Sequence, residues 1–121
     1  MNTAYKIFEE RDGKLFNLFY AIGRRKQVEF DKTHQAVERL TYESSAKTKY
    51  VTGFHCVKSL ALMPLYLKRF SKARMPRLVV VEVKVSETRK KPTKGSLALL
   101  AKQIRIESTA RRWKASDLIK K

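Results

Sequence analysis

From Arg77 to Glu87 the chain reads RLVVVEVKVSE. Val79, Val81, Val83 and Val85 fall on one side of an extended chain, and the other side passes from Leu78 and Val80 to Glu82 and Lys84. That alternation predicts a strand buried on both faces at its start and on one face at its end. Two further apolar runs, TAYKIFEE and KLFNLFYAI, flank Asp12 and Gly13, a two-residue hairpin signal. In the first run Tyr5 and Ile7 alternate with Lys6 and Phe8, which predicts a mixed outer face. Gly23 breaks the pattern, and a third short strand is expected at residues 27 to 30.

DKTHQAVERLTY carries helical spacing, with Thr33 as a cap and Val37, Leu40 and Tyr42 toward the core. The polar ESSAKTK then reads as a loop. YVTGFHCV predicts a strand interrupted by Gly53, and a glycine inside a strand marks a bulge or a close backbone approach. SLALMPLYLKRFSKARMP is the strongest helix pattern. Leu60, Met63, Leu67 and Phe70 share a face with Tyr66, and Ser59 is placed to cap. Pro64 either kinks that helix in its second turn or starts it at the favoured first position. LALLAKQIRIES begins without a clear period and then alternates as a strand from Gln103 to Glu107. TARRWKASDLIKK predicts a short amphipathic helix docked by Trp113 and by Leu118 or Ile119. The order is α+β: a mostly antiparallel sheet with two or three short helices, in one domain of 121 residues.

Charge changes this picture. The chain holds 28 Lys and Arg against 11 Asp and Glu, a formal charge of +17. Residues 1 to 46 carry 8 cations and 7 anions, whereas residues 47 to 121 carry 20 and 4. An excess concentrated in one part of a chain is the electrostatic footprint of a polyanion binder. Four clusters carry it: Arg24, Arg25 and Lys26; Lys68, Arg69, Lys72 and Arg74; Arg89, Lys90, Lys91 and Lys94; Arg111, Arg112 and Lys114. Tyr50, Tyr66 and Trp113 lie near them, as core residues or as platforms for bases. ETRKKPTKG, with Pro92 and Gly95, predicts a projecting loop held by the valine strand.

The single cysteine, Cys56, allows no intrachain disulfide, and no segment has the length of a membrane span. The N-terminus lacks the layout of a signal peptide. A soluble, cytoplasmic protein without a membrane partner is expected. His55 and Cys56 are adjacent, so on a regular strand they point to opposite faces and form no direct dyad. A structural histidine is the preferred reading, with His55, Tyr66 and Trp113 as candidate ligand contacts. Glu82 and Glu87 are candidate acid or base groups, but an ion pair of Glu82 with Lys84 is the simpler reading. There is no phosphate-cradling glycine loop and no zinc-ligand spacing. No catalytic residue, metal or cofactor is expected.

AYKIF, GFHCVKS, VVVEVKV and LAKQIRI together resemble a set of short uncharacterised proteins of phages and bacteria. That resemblance implies a phage or mobile-element origin, hence a host cytoplasm, and no established activity. A second likeness, to compact ADP-ribosyltransferase-like folds, would place Tyr5, His55 and Glu82 in a transferase site. The combined expectation is a phage-type accessory protein that binds nucleic acid by phosphate contact, with RNA or a ribonucleoprotein preferred and single-stranded DNA also accepted. The alternatives are an inhibitor that sets the same basic face on an acidic host protein surface, and a small transferase.

Overall fold

The computed structural model describes residues 1–18, 27–36, 40–43, 48–92 and 96–119. Strands β1 (Asn2–Arg11) and β2 (Lys14–Asn17) form the expected hairpin, with Arg11 opposite Lys14. Asp12 and Gly13 have φ of 51° and 77°. Positive φ at both central positions is the requirement of a tight turn whose twist matches that of the strands. β3 (Gln27–Val28) extends this hairpin along β2.

The helix predicted over residues 31 to 42 is not formed. Thr33–Gln35 is a strand, β4, and Leu40–Glu43 is another, β5, paired with β6 (Thr48–Val51) in a separate two-stranded sheet. β4 lies along residues 103 to 105, and the Gln103 side-chain amide donates to Gln35 Oε1 at 2.8 Å. A free strand edge some 70 residues away in the chain thus overrides a modest local period.

After β7 (Phe54–Val57), a 3-10 turn at Leu60–Leu62 leads into α1 (Met63–Leu67). Pro64 sits in the first turn of α1, where its missing N–H costs nothing. Ser59 precedes the turn but makes no capping hydrogen bond. A second 3-10 turn, Met75–Arg77, delivers the chain to β8 (Leu78–Lys90). β9 is Ala98–Arg105 and β10 is Arg112–Lys114. Trp113 is therefore a strand residue, and the C-terminal helix α2 is the single turn Ala115–Leu118. The sheet is predominantly antiparallel, as expected, and the helical share is small.

β8 is long enough to hold the sheet together. One edge pairs with β1 from Leu78 to Val85, and the other pairs first with β10 and then with β9. The far edge of β9 carries β7 and β4, and β7 returns to β1 at Tyr5 and Val57. The sheet thereby closes on itself, which removes open edges along the ring. Its inner face packs Ala4, Phe8, Phe54, Cys56, the four alternating valines, Ala101 and Ile104. Its outer face, with Ile7, Val57, Leu78 and Val80, is covered by Met63, Tyr66, Leu67, Met75 and Ala115. Gly53 fits because a Cβ there would lie 2.9 Å from the Ala101 carbonyl oxygen.

The face shared by Lys6 and Phe8 is the inner one, not a mixed outer one. Period-two alternation says which residues share a face, but the direction of closure decides which face is enclosed. Among the described residues no helix is long and apolar enough to cross a membrane.

Candidate nucleic-acid interface

From residue 44 to residue 81 there is no aspartate or glutamate. The structure exposes Lys58, Lys68, Arg69, Lys72, Arg74 and Arg77 from this span. α1 and the two 3-10 turns must bury Met63, Tyr66, Leu67 and Met75 against the sheet, which turns the intervening cations outward. None of the six forms an ion pair with a described residue. Arg69 lies 5.7 Å from the Tyr66 ring centre and Arg74 lies 5.4 Å from that of Phe70. The two rings meet edge to face at 6.2 Å. These guanidiniums rest on aromatic faces and keep their charge in solvent. Glu9 shares a cavity with Arg74 and Arg77, but its carboxylate pairs with Arg11 at 3.2 Å.

The other clusters are placed differently. Arg111 donates to Glu82 at 2.6 Å and stands 5.4 Å from the Trp113 ring centre. Arg112 reaches Glu10 at 3.4 Å and lies 4.8 Å from the Phe30 ring centre. Lys114 is exposed at the end of β10. Glu82 is thus paired with Arg111 rather than with Lys84, which donates to Thr3 instead.

The projecting loop begins later than predicted, because Thr88, Arg89 and Lys90 are still paired with β9. Arg89 donates to the carbonyls of Val51 and Thr52 at 2.6 and 3.1 Å. Lys91 is buried with its ammonium 5.4 Å from the Tyr50 ring centre, while Lys90 is exposed. Arg24, Arg25, Lys26 and Lys94 lie outside the described residues, as do Gly23, Val37, Gly95 and most of the expected ESSAKTK loop.

Of the candidate ligand contacts, Tyr66 is core and Trp113 is half-buried against Tyr5 at 5.9 Å between ring centres. His55 is mostly buried. Burial first, then the neighbouring charges of Lys6, Lys91 and Arg69, push its imidazole down to about 3, so it is neutral. Burial likewise holds the Cys56 thiol up at about 11, against the pull of Lys6. Cys56 packs inside the ring, and strand alternation turns His55 the other way. A neutral imidazole and a protonated thiol on opposite faces form no nucleophilic pair. Tyr5 sits opposite Glu82 across the β1–β8 ladder, but the Glu82 carboxylate is bound to Arg111. Among the described residues no cluster of three His, Cys, Asp or Glu is placed to hold a metal.

Three cations carry roles that the sequence pattern did not single out. Lys58 and Arg77 are likewise exposed and form no ion pair with a described residue, and the acid-free run around them was the available signal. Lys6 is the third and is fully buried inside the ring. It donates to the His55 carbonyl at 3.0 Å, with the rings of Phe8 and Phe54 at 5.4 and 5.8 Å. It crosses from β1 to β7, where the backbone pairing amounts to one residue pair. Desolvation lowers its ammonium from 10.5 to about 8, with Cys56 acting weakly in the opposite sense.

Comparison of the chain with protein families, characterised proteins and solved structures gave no match.

Proposed function

We propose that the protein is a phage-type accessory factor that binds RNA or single-stranded DNA, free or within a ribonucleoprotein, through phosphate contact on the face of Lys58, Lys68, Arg69, Lys72, Arg74 and Arg77. One observation carries this reading: six exposed cations between residues 58 and 77, with no described carboxylate paired to any of them. A nucleic acid carries condensed counter-cations, and protein cations that neutralise its phosphates release them, which drives binding. The contacts position the strand and carry no base readout by themselves.

The test is a titration of mixed-sequence RNA and single-stranded DNA over a range of salt. If about six phosphates are neutralised, log affinity falls against log salt with a slope of roughly −4. A flat response, or no binding at low salt, rejects the reading.

A further inference from the structure

Between α1 and α2 the outer layer leaves an open groove of about 450 Å³. Leu67, Phe70, Met75 and Leu118 form its walls, and Lys68 and Lys72 stand in its lining beside them. Ile119 at the same groove is 40% exposed. A cleft of this volume, mostly apolar with a few charged groups, has the size and character of a small-ligand site. Its surroundings narrow the ligand. Arg74 rests on the Phe70 ring of the groove wall, Arg69 on the Tyr66 ring that meets Phe70, and Arg77 lines a cavity with Arg74, so positive charge repeats beside the groove. The only acidic side chain on either helix, Asp117, is not part of the groove lining. An apolar, partly aromatic slot inside a row of repeated cations is complementary to a chain that alternates flat rings with phosphates.

We propose that this groove seats one unstacked base of a bound single strand, with the flanking phosphates on Lys68 and Lys72. The inference rests on the phosphate-binding reading above and adds a preference for single strands over duplex. In a duplex the bases are stacked and paired, and none can enter a side cleft without being unstacked. In a single strand the base exchanges water for the walls of the groove, and stacking on a protein ring is tolerant of base identity.

The experiment compares a short oligothymidine with an abasic strand of equal length and charge. The wild-type protein binds the base-bearing strand about tenfold tighter, the size of one well-stacked base. Phe70→Leu keeps the wall apolar and removes the ring. It brings the oligothymidine down to the level of the abasic strand, and the readout is the ratio of the two affinities, because the ring also supports Arg74. If Phe70→Leu does not fold, Ile119→Asn at the exposed rim carries the same test, with a smaller drop confined to the base-bearing strand. Equal affinity of the wild type for both strands overturns the proposal, as does a folded variant that weakens both strands alike. Either result leaves phosphate binding standing and fits a groove that takes an apolar side chain of an acidic protein instead. Failure of the wild type to bind either strand at low salt removes the phosphate-binding reading itself.

Discussion

Arg111 and Arg112 on β10 each pair with a carboxylate, at 2.6 and 3.4 Å, whereas the six cations between Lys58 and Arg77 pair with none that is described. Each of these cations counts equally toward the formal charge of +17, yet they are not equally available to a partner. A paired arginine is already neutralised by its carboxylate, so meeting a phosphate gains little. An unpaired one has no such partner to lose, and each phosphate it neutralises releases counter-cations condensed on the nucleic acid. Buried cations are a third case. Lys6 and Lys91 are enclosed and Arg89 is tied to two carbonyls, so their charge belongs to the fold. On the proposed function, the charge that matters is the part left unpaired at the surface.

The largest effect should come from replacing Lys58, Lys68, Arg69, Lys72, Arg74 and Arg77 with glutamine. Each lost phosphate contact makes the salt slope shallower by about 0.7, so the six-site variant approaches a flat response. Its melting temperature should hold or rise, since exposed charges add little to folding and their removal relieves self-repulsion. Arg111→Gln with Arg112→Gln is the matched comparison and should change the slope by less than one contact. Equal loss per cation in the two variants would erase the distinction between paired and unpaired charge.

Lys6 offers a sharper contrast, read through pH. Its ammonium titrates near 10.5 in the unfolded chain and at about 8 in the folded one. Below about 8 both states hold the proton, and the full cost of burying the charge is present. Between about 8 and 10.5 the unfolded chain binds the proton that the native state has lost, so stability rises with pH. Lys6 by itself contributes a rise of about 3 kcal/mol, and the Cys56 thiol, held up at about 11, opposes it above about 9 because the unfolded chain loses that proton first. Urea unfolding of wild type and Lys6→Met across that window should therefore show the rise as the difference between the two profiles. Parallel profiles would mean that Lys6 is solvated.

The smallest change is expected for Arg89→Gln. Losing two hydrogen bonds from a charged donor should cost about 1–3 kcal/mol in unfolding experiments, with the salt slope unaltered. If the slope flattened while stability held, Arg89 would be an interface residue, as the loop reading of ETRKKPTKG anticipated.

Elements set by near neighbours were legible in the sequence. Asp12 and Gly13 announce their turn, and the valines of β8 announce their faces. Met63, Tyr66 and Leu67 were identified as the buried side of α1. Each of these depends on local backbone preference and on which residues share a face. The helix expected over residues 31 to 42 failed because β9 offered Thr33–Gln35 a paired edge, and a single sequence does not display edges. The basic clusters were legible as composition, whereas Lys58 and Arg77 were not singled out, although the acid-free run from residue 44 to residue 81 is visible in the sequence.

What the sequence by itself determined is the stock of strands, the turn chemistry and the total charge, since these follow from residue type and short spacing. Only the tertiary structure decided which cations remain free, because their partners are remote in the chain: Glu82 lies 29 residues from Arg111, and Glu10 lies 102 from Arg112. It also decided that Lys6 points inward, since the closing of β8, β9, β7 and β1 into a ring chooses the enclosed face. Pairing and enclosure depend on distance in space, and that distance is set only when the sheet closes.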